Sequence, residues 1–419
     1  MKKNCNLIFS SILVLIEVVL LGFYIYFYNQ DLESWFANHS GLVVLMSTVV
    51  PSGIIWLLNF YVLAPFLSKL FFGLLMVLGY YRYLNGVYEK RISECITWLV
   101  GLDKHWGIFA TADECQNANT CEGLIALKES KCHKRKLEIY KDSFTNLLKN
   151  ITDDGLPSKS FGHATVACTS LLLYLISLEQ SEPTNGIQID NSRFQKLAAR
   201  LWQVRGDAGW GVFMDKTEPQ YCSIANTFKA MRAINKYEVA NGSEYKKYAV
   251  SMYEYAKESK FGFKRGDNPR LATTAMGIIF YYELDDEIRK KIDAGFNIQE
   301  AIDFVFDCAI TKGQQFETEI FFGLDKKIPG AKKAPWGHVS LGFAIEALHV
   351  AYIHGKLSTP KMNKLIKYTQ RVFNSNFIYP NKDQCYFIPH EIEFDPRGTY
   401  TYPTMYIVWG LSSFKRIIK

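Results

Sequence analysis

Residues 206–234 read GDAGWGVFMDKTEPQYCSIANTFKAMRAI. A Gly209-Trp210-Gly211 turn and a polar loop come first. A helical segment follows whose opening turns carry Ser223, Ala225, Asn226 and Thr227 and whose end carries Met231 and Ile234. Residues 191–205, before the turn, are also helical in pattern. The unit is an outer helix, a Gly/Trp turn and an inner helix, and much of the chain repeats it imperfectly.

Working outward, residues 91–100 and 117–128 flank His105-Trp106-Gly107, and 137–150 and 164–176 flank Asp154-Gly155-Leu156. Residues 245–259 and 271–282 flank Phe261-Gly262-Phe263. Residues 298–310 and 338–353 are separated by a long insertion ending in Pro335-Trp336-Gly337, and 361–375 and 402–417 by a long loop. That makes six hairpins. Their inner helices open on Thr, Ser, Cys or Asn and become rich in Leu, Ile and Phe. Small residues at one end let six inner helices converge around a cavity, and bulky residues fill the closed side. Glycine beside an aromatic ring reverses the chain tightly while the ring packs between hairpins. An open helical solenoid is the simpler alternative; six units over about 330 residues fit a closed ring better.

The first 82 residues differ. Residues 7–28 and 41–63 are apolar runs long enough to cross a bilayer. The loop between them carries Asp31 and Glu33 and no Lys or Arg, whereas Lys2, Lys3, Lys69 and Arg82 flank the pair. The positive-inside rule puts both ends, and hence the large domain, in the cytoplasm of a cell (inner) membrane protein. Residues 66–81 are also apolar. They read as an interfacial helix, because the run is short, follows Pro65 and contains Lys69. As a third span they would reverse the domain's side. Glu17 sits inside the first span, where a carboxylate needs a partner. It is either a protonated group packed on the second span or a polar contact that sets a homo-oligomer or an ion path.

The formal net charge of +7 is spread over short clusters. It argues against a nucleic-acid partner and suits anionic membrane lipid. Nine cysteines without regular spacing read as reduced thiols.

The repeat resembles that of the α/α-toroid superfamily, which includes squalene and terpene cyclases and protein prenyltransferase β subunits. The resemblance rests on Gly209-Trp210-Gly211 with 223–233, Trp106-Gly107 with 120–127, and Trp336-Gly337 with 340–348. It covers roughly residue 87 to the C-terminus and implies a six-hairpin toroid in 83–419; with the transmembrane helical hairpin read from the apolar runs in residues 1–82, the expected fold is all-α. It does not fix an activity. The Asp-x-Asp-Asp acid of protonating cyclases is absent, and Asp285-Asp286 lacks the next acid of a diphosphate motif because residue 289 is Arg. Asp383 and Cys385 have the Asp-x-Cys form of the prenyltransferase zinc site, with His390 nearby. Their place in a long loop departs from that family, so zinc is a weak expectation and no other cofactor is implied. No Walker loop, dinucleotide fingerprint, HExxH or Gly-x-Ser-x-Gly occurs.

The polar residues at the expected cavity mouth are the candidate site. Glu122, His163 and His338 could exchange protons, and Asn117, Cys168, Cys222, Asn226, Arg270, Tyr400 and Tyr402 could contact a ligand. Each could equally cap a helix. The insertion before Trp336 carries Glu317, Glu319 and a basic run, and reads as a surface lid or a second site. Two functions compete. In one, the toroid binds a hydrophobic, lipid-borne or peptide ligand, or a protein partner, as a sensor coupled to the spans. In the other, it is a membrane-bound prenyltransferase- or cyclase-like enzyme on an isoprenoid or lipid-linked substrate.

Overall fold

The computed structural model describes residues 81–101, 117–158, 162–207, 209–215, 223–237, 242–258, 262, 268–320, 335–376 and 402–414. The chain divides into two compact units, Met1–Gly86 and Val87–Lys419. Residues 7–28, 41–63 and 66–80, with Glu17, lie outside the described residues. Among the described residues no helix is long and apolar enough to cross a bilayer.

The second unit is built of helices in alternating roles. The outer ones are α1 (Tyr81–Gly101), α3 (Leu137–Lys149), α5 (Asn191–Gln203), α7 (Gly242–Glu258), α10 (Ile298–Phe306) and α12 (Thr359–Asn376). The inner ones are α2 (Asn117–Glu129), α4 (Val166–Ser181), α6 (Ile224–Ile234), α8 (Leu271–Glu283), α11 (Ser340–Ile353) and α13 (Tyr402–Phe414). A short α9 (Asp286–Asp293) follows α8, and a π-helical turn, Asp307–Thr311, extends α10. Each inner helix packs on the next, α2 on α4, α4 on α6, and so through α8 and α11 to α13, which returns to α2. The six inner helices therefore make a closed cycle.

Pattern decides which helix goes where. Outer helix α5 buries Phe194, Leu197, Ala198, Leu201 and Trp202, one stripe at helical spacing, leaves Ala199 and Arg200 half-buried and exposes the rest. Inner helix α11 is buried from Ser340 to Ala351 on every side. A helix apolar all round has no face for water, so it must sit between an outer helix and its ring neighbours.

One turn recurs. Gly209 has φ +121° and Gly155 φ +131°, and a Cβ at either would meet a threonine Oγ1, that of Thr227 at 2.2 Å or Thr169 at 2.5 Å. These hydroxyls accept the next backbone N–H, Trp210 into Thr227 at 3.0 Å and Leu156 into Thr169 at 3.1 Å. Each threonine lies four residues past its helix's N-cap, Ser223 or Thr165, whose own hydroxyl caps the first turn. The Trp210 indole donates to Leu201 O at 2.7 Å and is fully buried between helices.

The insertion departs from expectation. β1 (Phe316–Ile320) pairs antiparallel with β2 (Pro335–Val339), so the ring helix begins at Ser340 rather than at residue 338. The register sets Glu317 opposite His338 and Glu319 opposite Trp336. Among its described residues the otherwise helical unit thus carries one two-stranded ribbon.

Two constraints hold the ring. At the α11/α13 seam, a Cβ on Gly342 would lie 2.3 Å from Tyr406 O, and one on Gly410 2.3 Å from Gly342 O. The second is a buried ion cluster. Lys128 donates to Glu179 at 2.7 Å, to Thr184 Oγ1 at 2.9 Å and to Glu182 O, and Tyr140 donates to Glu179 at 2.6 Å. It ties α2 and α3 to the end of α4.

Gly342→Ala or Gly410→Ala is expected to cost about 1–3 kcal/mol by overpacking. Gly295→Ala, with open space at its Cβ, should change little; denaturant midpoints compare the three. Burial alone raises the Glu179 pKa, but hydrogen bonds from Lys128, Tyr140 and Thr184 outweigh it and hold it below the ordinary 4.5. Its contribution is therefore present above pH 4.5 and is lost as pH falls through the depressed value. Glu179→Gln should flatten that acid limb in urea titrations across pH 3–6.

Candidate functional site

The interior of the ring holds a cavity of about 40 Å³ lined from α4, α6, α8, α11 and α13. Its walls are Phe228, Met276, Ile279, Phe343, Tyr406 and Trp409, with Ser170, Tyr174, Lys229 and Arg232 bringing polar atoms. The inner helices reach it with different parts of their length, which separates two polar layers.

The first layer belongs to the opening turns. Glu122 on α2 is 5% exposed. It accepts the Tyr406 hydroxyl at 2.5 Å from across the ring seam and the Asn119 amide at 3.1 Å from its own helix. Cys168 on α4 lies close enough for Glu122 and Lys229 to act on its thiol. Burial pushes that thiol up to about 11, with the Thr165 hydrogen bond and Lys229 opposing and Glu122 adding. At neutral pH it is a protonated, unreactive group. Cys121 beside Glu122 is shifted the same way, first by burial.

The second layer is a buried ion cluster deeper in the ring. Arg232 pairs with Glu283 at 2.7 Å and with Glu346 at 3.5 Å. Its guanidinium sits 4.4 Å from the centre of the Tyr174 ring and 5.6 Å from that of Trp409. It also donates to the Tyr174 hydroxyl at 3.1 Å, which donates onward to Glu129 at 2.9 Å. Burial opposes the Arg232 charge, and the facing carboxylates outweigh it. Five ring helices, α4, α6, α8, α11 and α13, meet at this cation.

Lys229, one turn earlier on α6, is the exception. It is half-buried, lines the cavity, and makes no hydrogen bond or ion pair among the described residues. Ser170 Oγ and Trp409 Nε1, on residues that line the same cavity, are buried without a hydrogen-bond partner. Three residues that line one small space thus carry a donor without a partner among the described residues.

The expected site residues scatter. Glu122 and Cys168 come together beside the cavity. Asn226 instead donates to Gly211 O at 3.0 Å and secures its own turn. Asn117 donates to Pro157 O at 2.8 Å and joins the first two hairpins. Arg270 is the N-cap residue of α8, with no side-chain cap of its own. Glu317 supplies that cap, accepting Leu271 N at 2.5 Å, Ala272 N at 2.9 Å and Ser340 Oγ at 3.1 Å. It is buried and spans two ring helices, so it is a fixed acceptor rather than part of a mobile lid. His163 is exposed in the turn before α4. Glu319, Trp336 and His338 are placed only by the strand register, and Tyr402 begins α13. Cys222, Tyr400, Asp383, Cys385 and His390 lie outside the described residues. Among those described, no cluster of three metal-binding side chains occurs.

The sequence carried a signal for Lys229, Arg232 and Glu346. Each interrupts an inner helix that is otherwise small or apolar, and a charge in such a helix must find a partner or a ligand. Ser170 and Trp409 carry no comparable signal.

Iodoacetamide at pH 8 should label the half-exposed Cys132 and spare Cys121 and Cys168 in the folded chain. Peptide mass spectrometry reads the sites, and labelling of Cys168 at the rate of Cys132 would contradict its burial.

No protein-family model matches the chain, and no similar curated protein or solved structure was found.

Proposed function

We propose that residues 83–419 form an α/α toroid of the cyclase and prenyltransferase type, used as a recognition module. In this reading residues 1–82 anchor it by two spans to a cell membrane, with the toroid on the cytoplasmic side. The closed cycle of six inner helices supports the toroid, and the apolar runs in the sequence support the anchor. The observation that carries the function is the ring cavity, lined by aromatic residues and by one cation, Lys229, without a carboxylate partner among the described residues. Such a surface suits an apolar group ending in a hydrogen-bond acceptor.

Size limits the ligand. A cavity of about 40 Å³ takes a few heavy atoms. The tip of a lipid-borne or hydrophobic molecule fits there, with the remainder outside the ring. The buried cysteines and the hydrogen-bonded Glu122 favour holding over reacting, and this separates the binding reading from the enzyme reading. The aromatic walls are what the enzyme reading has in its favour, since such rings also stabilise cationic intermediates.

Mass spectrometry of molecules that co-purify with the full chain tests the proposal. A hydrophobic compound retained in stoichiometric amount is expected. Glu122→Ala and His163→Ala should leave cellular activity in place while Glu17→Ala abolishes it. The reverse pattern would favour catalysis at the mouth and remove the sensor reading.

A further inference from the structure

The ring cavity also says what head group its ligand carries. We infer that it receives a single carboxylate, held by Lys229 and Ser170, with Trp409 as the third donor; this rests on the recognition reading above.

The argument is a count of charges and donors. Arg232 is not available, because Glu283 and Glu346 already face it and Tyr174 takes a further N–H. Glu122 is a carboxylate whose two oxygens are engaged by Tyr406 and Asn119. Lys229 is therefore the one cavity-lining cation left without a partner among the described residues. A diphosphate brings two or three negative charges and needs several cations or a metal ion to offset them. One lysine, with Glu122 close by, suits a monoanion and repels a polyanion. A neutral acceptor would make no use of the lysine's charge, whereas a carboxylate gains a charge-assisted hydrogen bond from it.

The donors fit the same group. Ser170 is 1% exposed and its hydroxyl has no partner among the described residues; the Trp409 indole N–H is likewise buried and unmet there. Buried donors are rarely left so, and where they are, a water or a ligand supplies the acceptor. A carboxylate offers two oxygens and about four lone-pair directions, enough for a lysine, a hydroxyl and an indole together. The carbon next to it would meet Phe343, Met276 and Ile279, so a fatty or other aliphatic acid is the fitting class.

The test uses the full chain in a non-ionic maltoside at pH 7, titrated calorimetrically with decanoate, decanol and decyl phosphate. Decanoate is expected to bind at least about tenfold more tightly than decanol. Lys229→Met should lose about tenfold or more for decanoate and leave decanol unchanged, and Ser170→Ala should lose about fivefold. Lys229→Met should not lower the thermal midpoint, because the half-buried lysine makes no hydrogen bond or ion pair among the described residues; Ser170→Ala serves as the test if that variant does not fold. Equal binding of decanol and decanoate, undiminished binding by both variants, or tighter binding of decyl phosphate would overturn the inference. If decanoate fails while a neutral lipid co-purifies, the carboxylate is wrong and the recognition module stands. If no apolar molecule binds at all, both fall.

Discussion

The hydrogen bond from a turn's backbone N–H to a threonine one turn into the next helix underlies this fold. At Gly209-Trp210 the acceptor is Thr227, and at Gly155-Leu156 it is Thr169. The contact requires glycine at the preceding position, since a Cβ would occupy the hydroxyl's place. It fixes the angle at which an inner helix leaves its turn. The ring closes only if those angles agree around it, so a local hydrogen bond sets a global dimension. Thr274 lies at the same distance past the N-cap Arg270, and its hydroxyl donates to the cap carbonyl at 2.6 Å, as that of Thr227 does to Ser223 O at 2.7 Å. There the orphan amides are met instead by Glu317, a residue 45 positions away from Ala272 along the chain.

The interior shows why such a ring is not a simple hydrophobic core. Arg232 is buried among carboxylates contributed by other helices, and Lys128 is buried against Glu179 with two further partners. Neither cluster is an economical way to stabilise a fold, because desolvation offsets most of the attraction. Each is nevertheless directional. A guanidinium that needs Glu283, Glu346 and Tyr174 at once permits one arrangement of α4, α6, α8 and α11, where apolar contacts alone would tolerate sliding.

Much of this was legible in the sequence because it is periodic. The outer helices show their stripes, and Gly209-Trp210-Gly211 marks its turn. The inner helices show a shift from small to bulky residues. Their bounds agree closely, as at Leu271–Glu283 against an expected 271–282. The strand pair is a different case. Pro335-Trp336-Gly337 has the composition of the hairpin turns, yet Phe316, Thr318 and Ile320 alternate with Glu317 and Glu319, which is the two-residue period of a strand. The candidate site was the least legible part. Polar residues at helix starts are as well suited to satisfying backbone as to meeting a ligand, and Asn226, Asn117 and Glu317 do the former. What distinguishes Lys229 is its having no partner among the described residues, a property of three-dimensional neighbours that spacing does not express.

The seam between α11 and α13, where Gly342 and Gly410 let two backbones touch, carries a consequence for biogenesis. It joins the last ring helix both to its predecessor and, through Tyr406 and Glu122, to the first. During synthesis the earlier hairpins can pair in order, but their cycle stays open until Tyr402–Phe414 has left the ribosome. For the time needed to translate the residues after α11, the apolar flanks of α2 and α11 have no neighbour, and the nascent domain depends on something else to cover them.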